Sequence, residues 1–382
     1  MNRSAVTALT CLAGGLLTGL APPLPAQAAS KPKTITYYIA ADHVTWDYAP
    51  SGTNQINGQP FDEMAQMFVQ SGPERIGKVY RKSLFREYTD ASFKTLKPRP
   101  RAWEHLGLLG PLIRAEVGDT IQVVFRNNTA YAASVHPHGV FYTKSSEGAG
   151  AADQTAGAEK ADDAVPPGGT HTYVWPVPER AGPASGDLSS VSWMYHSHVN
   201  EDRDLNSGLM GPMIISRRGA TKPDGTPKDV DRELVVAFFE LDENMSWHFD
   251  HNLNTYTTAK PKVTPDMLVF FHPFGLSNFK ESLNGFLFGH LPGLTTRVGE
   301  RVRWYLMAST NFEVHAAHWH GNTVVINHMR TDVAPLATMG MVVADMVPDN
   351  PGTWLFHCHV REHLNAGMQS LYTVLPAAAS LR

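Results

Sequence analysis

FHCHVREHLNAGM, residues 356–368, packs three histidines, one cysteine and one methionine into one short stretch. Cys358 stands between His357 and His359, His363 follows, and Met368 closes the stretch. A thiolate, imidazoles and a weak axial thioether are the donors a blue-copper site needs. Along an extended strand, neighbouring side chains alternate and residues two apart share a face. His357 and His359 therefore point one way and Cys358 the other.

The rest of the chain supplies matching donors. Four His-x-His pairs occur: His136/His138, His196/His198, His318/His320 and His357/His359. Each pair offers two imidazoles to one point. Eight imidazoles exceed what one copper takes and suit a cluster of two or three ions. His315 lies three before His318, on the face away from His318 and His320. It can join Cys358, His363 and Met368 around a separate copper. The pattern predicts an outer mononuclear site wired through Cys358 to His357 and His359 of an inner cluster.

The pairs belong to a repeat. Val117-Gly118-Asp119 leads to VHPHG, and Val298-Gly299-Glu300 leads to AAHWHG. WMYHSH at 193–198 matches WLFHCH at 354–359. The first copy has Ala133 for His315, Ser197 for Cys358 and, by simple offset, Asp202 for His363. It keeps cluster histidines and lacks the outer site, so electrons have one way in. With 31 glycines, 27 prolines and short β-branched runs, the chain is expected to be all-β, each half a Greek-key sandwich. Strands are predicted at 34–41, 121–125, 172–175, 191–198, 213–216, 234–240, 301–306, 323–327, 341–345, 353–357 and 369–374, with 42–105 and 242–280 irregular.

Arg3, an apolar run over residues 5–20 and Ala26-Gln27-Ala28 read as a secretory signal at 1–28, cleaved after Ala28. That predicts secretion and removes Cys11, leaving Cys358 as the one mature thiol and no internal disulfide. The domains are expected at 29–218 and 232–382, with 219–231 (GATKPDGTPKDVD) a polar linker. No later apolar run is long enough to span a bilayer. A net charge of −4 gives no support for a nucleic-acid partner.

HPHG, HSH, HAAHWHG and HCHVREHLNAGM resemble the four copper motifs of the multicopper oxidases. The spacing is similar to that of the two-domain small laccases. The framework stretches YYIAADHVTWDYAPSG, LGLLGPLIRAEVGDT, FFELDENMSW and LNGFLFGHLPGLT are more similar to ceruloplasmin and hephaestin. The resemblance implies two cupredoxin-like domains holding four coppers per chain. His315, Cys358, His363 and Met368 would bind the type 1 copper, and His136 and His318 the type 2 copper. His138, His196, His198, His320, His357 and His359 would bind the type 3 pair. It further implies one-electron oxidation of a small reductant coupled to reduction of O2 to water. The cluster would close between subunits of a homotrimer, an interface symmetry allows, with closure within one chain the alternative.

The reductant is expected to be phenol-like, as in laccases. The alternative is a metal ion, Fe(II) or Cu(I). A non-catalytic copper-binding module and a two-domain nitrite reductase fit less well. The intact ligand set opposes the first, and Ser197 and the eight paired histidines oppose the second. Glu362 and Glu281 are candidates for a metal-ion substrate site or are plain surface charges. Glu362 matches an acidic iron ligand of ceruloplasmin-like ferroxidases, whereas Glu281 stands where they carry a histidine and Leu276 where they carry an acid. Met339, Met341 and Met346 read as core packing rather than cuprous-ion ligands. Tyr142 shares parity with His138. Asp202 and Asp204 read as loop acids with a second reading as proton relays, and His248 and His251 as loop histidines.

Overall fold

The structure, a computed structural model, describes residues 31–309 and 313–378. The expected signal, Cys11 included, lies outside the described residues. The first half holds β1 (Thr34–Asp47), β2 (Val79–Tyr88), β3 (Ile113–Glu116), β4 (Thr120–Asn127), β5 (His136–Pro137), β6 (Thr170–Pro176), β7 (Ser190–His196) and β8 (Met210–Ser216). They form two four-stranded sheets, β2-β1-β4-β6 and β3-β8-β7-β5.

The second half holds β9 (Arg232–Asp242), β10 (Phe279–Leu283), β11 (Thr295–Arg297), β12 (Val302–Ala308), β13 (His315–Trp319), β14 (Val324–Ile326), β15 (Met329–Thr331), β16 (Val333–Leu336), β17 (Met341–Met346), β18 (Gly352–Cys358) and β19 (Gln369–Leu375). Its sheets are β10-β9-β12-β17-β14-β15 and β11-β19-β18-β13-β16. The repeat in the sequence is a repeat in topology. β4 lies parallel to β1 as β12 lies parallel to β9, and β7 pairs antiparallel with β8 as β18 pairs with β19. Helices are short: α1 (Glu63–Val69), α2 (Glu201–Ser207), α3 (Phe249–Tyr256), α4 (Pro273–Ser277) and α5 (Arg361–Ala366).

Each half buries its own core, around Trp175 and Tyr195 in the first and Trp304 and Phe356 in the second. A third core joins the halves, with Tyr48, Leu108 and Met194 packed with Val235, Phe239 and Tyr305. The segment 219–231 is accordingly held fast. Glu116 accepts hydrogen bonds from Gly219 N, Thr221 N and Thr221 Oγ1, at 3.0, 3.1 and 2.6 Å. Asp229 pairs with the buried Arg303 of β12 at 3.1 Å.

Two strands fall in stretches the sequence reads as irregular, β2 and β10. Both carry buried charges, which interrupt the apolar alternation that marks a strand. On β2, Lys82 is fully buried; its Nζ donates to Glu243 Oε1 at 2.5 Å and to the Asn206 carbonyl at 2.6 Å. Tyr48 Oη donates to the same Glu243 oxygen at 2.5 Å. This network ties β1 and β2 of the first half to the end of β9 in the second. Removing one partner of such a pair strands the other charge in the interior. Lys82→Met should cost about 3–5 kcal/mol in urea unfolding, and adding Glu243→Leu should restore much of it.

Candidate metal centres

The blue-type pocket is built on β13 and β18. Their antiparallel register sets Ala317 opposite Cys358 and His318 opposite His357. Alternation then sends Cys358 and His315 to the inner side. α5 returns His363 to the same place and ends at Gly367, whose φ of 119° is left-handed. That helix cap turns the chain at once, so Cys358 N donates to the Met368 carbonyl at 3.0 Å. Cys358 Sγ lies 3.5 Å from His363 Nδ1 and 3.9 Å from His315 Nδ1, and the two Nδ1 atoms are 3.1 Å apart. His315, Cys358, His363 and Met368 are all buried. Burial pushes the Cys358 thiol up and pulls His315 down to about 3, so neutral donors face one another in a dry pocket. This donor set suits a thiolate-binding copper ion.

The paired histidines form two separate groups. In the first half, His138 Nε2 faces His196 Nε2 at 3.1 Å, and His136 packs with His198 at 5.2 Å between ring centroids. In the second, His320 Nε2 faces His357 Nε2 at 3.1 Å, and His318 packs with His359 at 5.2 Å. The donor atoms of His136, His138 and His196 lie within 4.8 Å of one another, as do those of His318, His320 and His357. Backbone carbonyls hold the far ring nitrogens: Nδ1 of His136 meets Glu147 O at 2.6 Å, His196 meets Ser197 O at 3.0 Å, His318 meets Asp332 O at 3.0 Å and His357 meets Cys358 O at 2.7 Å. Such contacts fix the tautomer that leaves Nε2 free to bind a metal. Burial holds His138 near 4 and His196 near 3, which keeps both neutral. No ring contact joins the two groups among the described residues, and His320 and His359 are exposed.

The first half shows what replaced the outer site. Ser134 N donates to Ser197 Oγ at 3.1 Å, where Ala316 N meets Cys358 Sγ at 3.5 Å. The counterpart of His363 is Asp204, not Asp202. Two extra residues in the connection shift the offset, and Asp204 stands four before Gly208 as His363 stands four before Gly367. Asp204 is fully buried and accepts from Ser197 Oγ at 2.6 Å and Trp247 Nε1 at 2.8 Å. The pocket is filled by a hydrogen-bonded Ser–Asp pair, so Asp204 is no loop acid. Leu209, whose carbonyl accepts from Ser197 N at 3.1 Å, stands where Met368 does.

Other candidates are placed as follows. Glu281 is buried at 4% exposure on β10, which excludes a surface charge, whereas Glu362 is exposed on α5. Glu313, which sequence reasoning missed, has Oε2 2.8 Å from His363 Nε2. Glu240 stands directly across the β9–β10 ladder from Glu281. Met339 and Met341 pack on the core between the halves and Met346 in the second core. Tyr142 is partly exposed and meets His136 edge-on at 5.7 Å rather than His138. His248 lies in the turn before α3, buried with its Nε2 2.8 Å from Ser83 Oγ, while His251 is exposed and sits in α3 rather than in a loop.

Sequence profiles described as multicopper oxidase match residues 105–220 and 257–378. The chain belongs to the multicopper oxidase family. Ferroxidase HEPHL1 of Mus musculus is 42% identical over 345 residues, covering 89% of this chain and 29% of that protein. Hephaestin of Homo sapiens is 42% identical over 346 residues, covering 89% and 29%. Ceruloplasmin of Homo sapiens is 39% identical over 339 residues, covering 88% and 31%. The chain spans under a third of the length of these relatives. Among solved structures, a multicopper oxidase aligns with a TM-score of 0.54 at 17% identity, covering 89% of each chain. The blue copper oxidase from Nitrosomonas europaea aligns at 0.53 and 18%, covering 91% of this chain and 86% of its own. These likenesses show the fold, the expected all-β pair of cupredoxin-like sandwiches. No helix among the described residues is long and apolar enough to cross a membrane.

Glu240 carries a pH signature. Burial, then Glu313, raises Glu240 to about 7. Its ordinary value is about 4.3. A raised carboxyl contributes stability that is full below about 4.3 and lost as pH rises through about 7. In copper-free protein, Glu240→Gln should therefore raise the melting temperature more at pH 8 than at pH 5.

Proposed function

We propose that this protein is a copper oxidase that takes single electrons from a metal ion and delivers them to O2. The observation that carries the reductant is Glu313 on His363 Nε2. It places a half-exposed acid against Nε2 of a type 1 histidine. The similarity to proteins named ferroxidase and hephaestin supports the same choice over a phenol. His315, Cys358, His363 and Met368 hold the type 1 copper. His136 and His318 hold the type 2 copper, and His138, His196, His198, His320, His357 and His359 the type 3 pair. Four coppers so bound supply one-electron acceptance at one end and four-electron reduction of O2 at the other.

The chain's own residues do the rest. Cys358 and its neighbours His357 and His359 give a covalent path from the outer pocket to the histidine groups. The carbonyls on Nδ1 keep the imidazoles in the binding tautomer, and the apolar walls around Cys358 exclude water from the thiolate. The open quartets, with His320 and His359 exposed, support closure of the cluster between copies of the chain, as in a homotrimer. The leader-like start supports secretion.

The purified protein should hold four coppers per chain and be intensely blue. Cys358→Ser should abolish the colour and leave three coppers bound. Fe(II) should be turned over with a kcat/KM at least ten times that for a simple phenol; a preference for the phenol would return the reading to a laccase. Light scattering should give a mass three times that of the chain, and a monomer that retains cluster copper would refute the shared cluster.

A further inference from the structure

We infer that Glu201 of one copy of the chain pairs with Arg361 of the next where the two histidine groups meet. The inference rests on the reading that the cluster closes between copies, and it names the charges that hold that closure. His136, His138 and His196 bring their donor atoms together in the first half, and His318, His320 and His357 in the second. Ring contacts run within each group and none joins the two among the described residues. The cluster is incomplete until one group is set against the other.

The repeat fixes what lies beside each group. β7 ends at His196 and is followed by α2, as β18 carries His357 and is followed by α5. α2 opens with Glu201. Its carboxylate lies 3.6 Å from His198 Nε2 and 4.0 Å from His196 Nε2, so it stands at the open face of the first group. α5 opens with Arg361, just after His359. The same place beside the histidines thus carries a carboxylate in one half and a guanidinium in the other. Set face to face over shared metal, two groups related by a repeat meet about an approximate two-fold axis, and corresponding places then lie opposite one another.

Each charge lacks an opposite one in its own half. The Glu201 side chain is 42% exposed, and the groups it meets are the two imidazoles that the cluster needs for metal. Arg361 is exposed and forms no ion pair among the described residues. It stands in the first turn of α5, where the helix dipole favours an acid. A guanidinium can meet a carboxylate with two parallel N–H donors. Between two copies such a pair is shielded from water and gains over one on a free surface. It also draws the carboxylate away from the Nε2 atoms of His196 and His198, which must be bare to take metal. Phe141 and Tyr142, just after His138, are 44% and 39% exposed, and Tyr142 lies edge-on 5.7 Å from His136. Aromatic rings of this kind are enriched where an interface covers them.

Copper-loaded protein, diluted in steps at low salt and followed by sedimentation velocity, tests the pair. The wild type should sediment as an assembly of chains that separates on dilution. Glu201→Arg and Arg361→Glu should each raise the concentration of half-dissociation by at least about tenfold, because like charges then face each other. Both reversals in one chain restore opposite charges and should bring that concentration back to within about threefold of the wild type. The blue absorption, made by residues of a single chain, should persist in every variant as proof of folding. A wild type that is monomeric at every concentration would overturn the shared cluster and the pair with it. An assembled wild type whose single variants dissociate unchanged, or whose double variant is no better than either single one, would overturn the pair alone.

Discussion

The alternation of side chains along β18 is the constraint on which the site depends. One strand presents Cys358 to the inside of a sandwich and His357 to the opposite side, one peptide away. The inner side is dry, so the thiolate meets imidazoles without competition from water. The other side opens towards the second histidine group. Had the register against β13 slipped by one residue, the two faces would have exchanged. His318 opposite His357 and Ala317 opposite Cys358 hold that register.

The duplicated half shows how little is needed to erase one function and keep the other. Ser197 and Asp204 occupy the positions of Cys358 and His363 and bind each other at 2.6 Å. Four donors reach Asp204: Ser197 Oγ, Trp247 Nε1, Val199 N and Asn200 N. A buried carboxylate with that many donors can stay in the interior without a metal. Glu281 has no such set. Two buried acids in related folds thus differ in kind: four donors meet Asp204, and none meets Glu281 Oε2.

Much of this was legible in the residues. The His-x-His pairs, Cys358 and the repeat point to the side chains that the structure gathers into three groups, because strand parity converts spacing directly into facing. The main strands emerge where apolar alternation is clean, as at β4 and β18. What escaped did so for separate reasons. β2 and β10 carry Lys82, Lys280 and Glu281 into the interior, and hydropathy cannot tell a buried charge from a surface one. Asp204 escaped because two extra residues between it and Ser197 break a fixed offset that only the helix cap restores. Glu313 escaped because its link to His363 joins residues far apart in sequence.

Those hidden charges divide into two uses with opposite electrostatic logic. At Lys82–Glu243 a cation and an anion from different halves neutralise each other, and the price of burial is met by fixing how the halves meet. The third core between the sandwiches gives that contact its dry surroundings. At Glu240–Glu281 two carboxyls face each other across the β9–β10 ladder, and burial pushes both up, which favours their neutral forms. Strand β10 carries both arrangements in successive residues. Lys280 turns to carbonyls on one side, and Glu281 lies opposite Glu240 on the other. Alternation along a second strand, then, parts Lys280 from Glu281, as it parts Cys358 from His357 on β18.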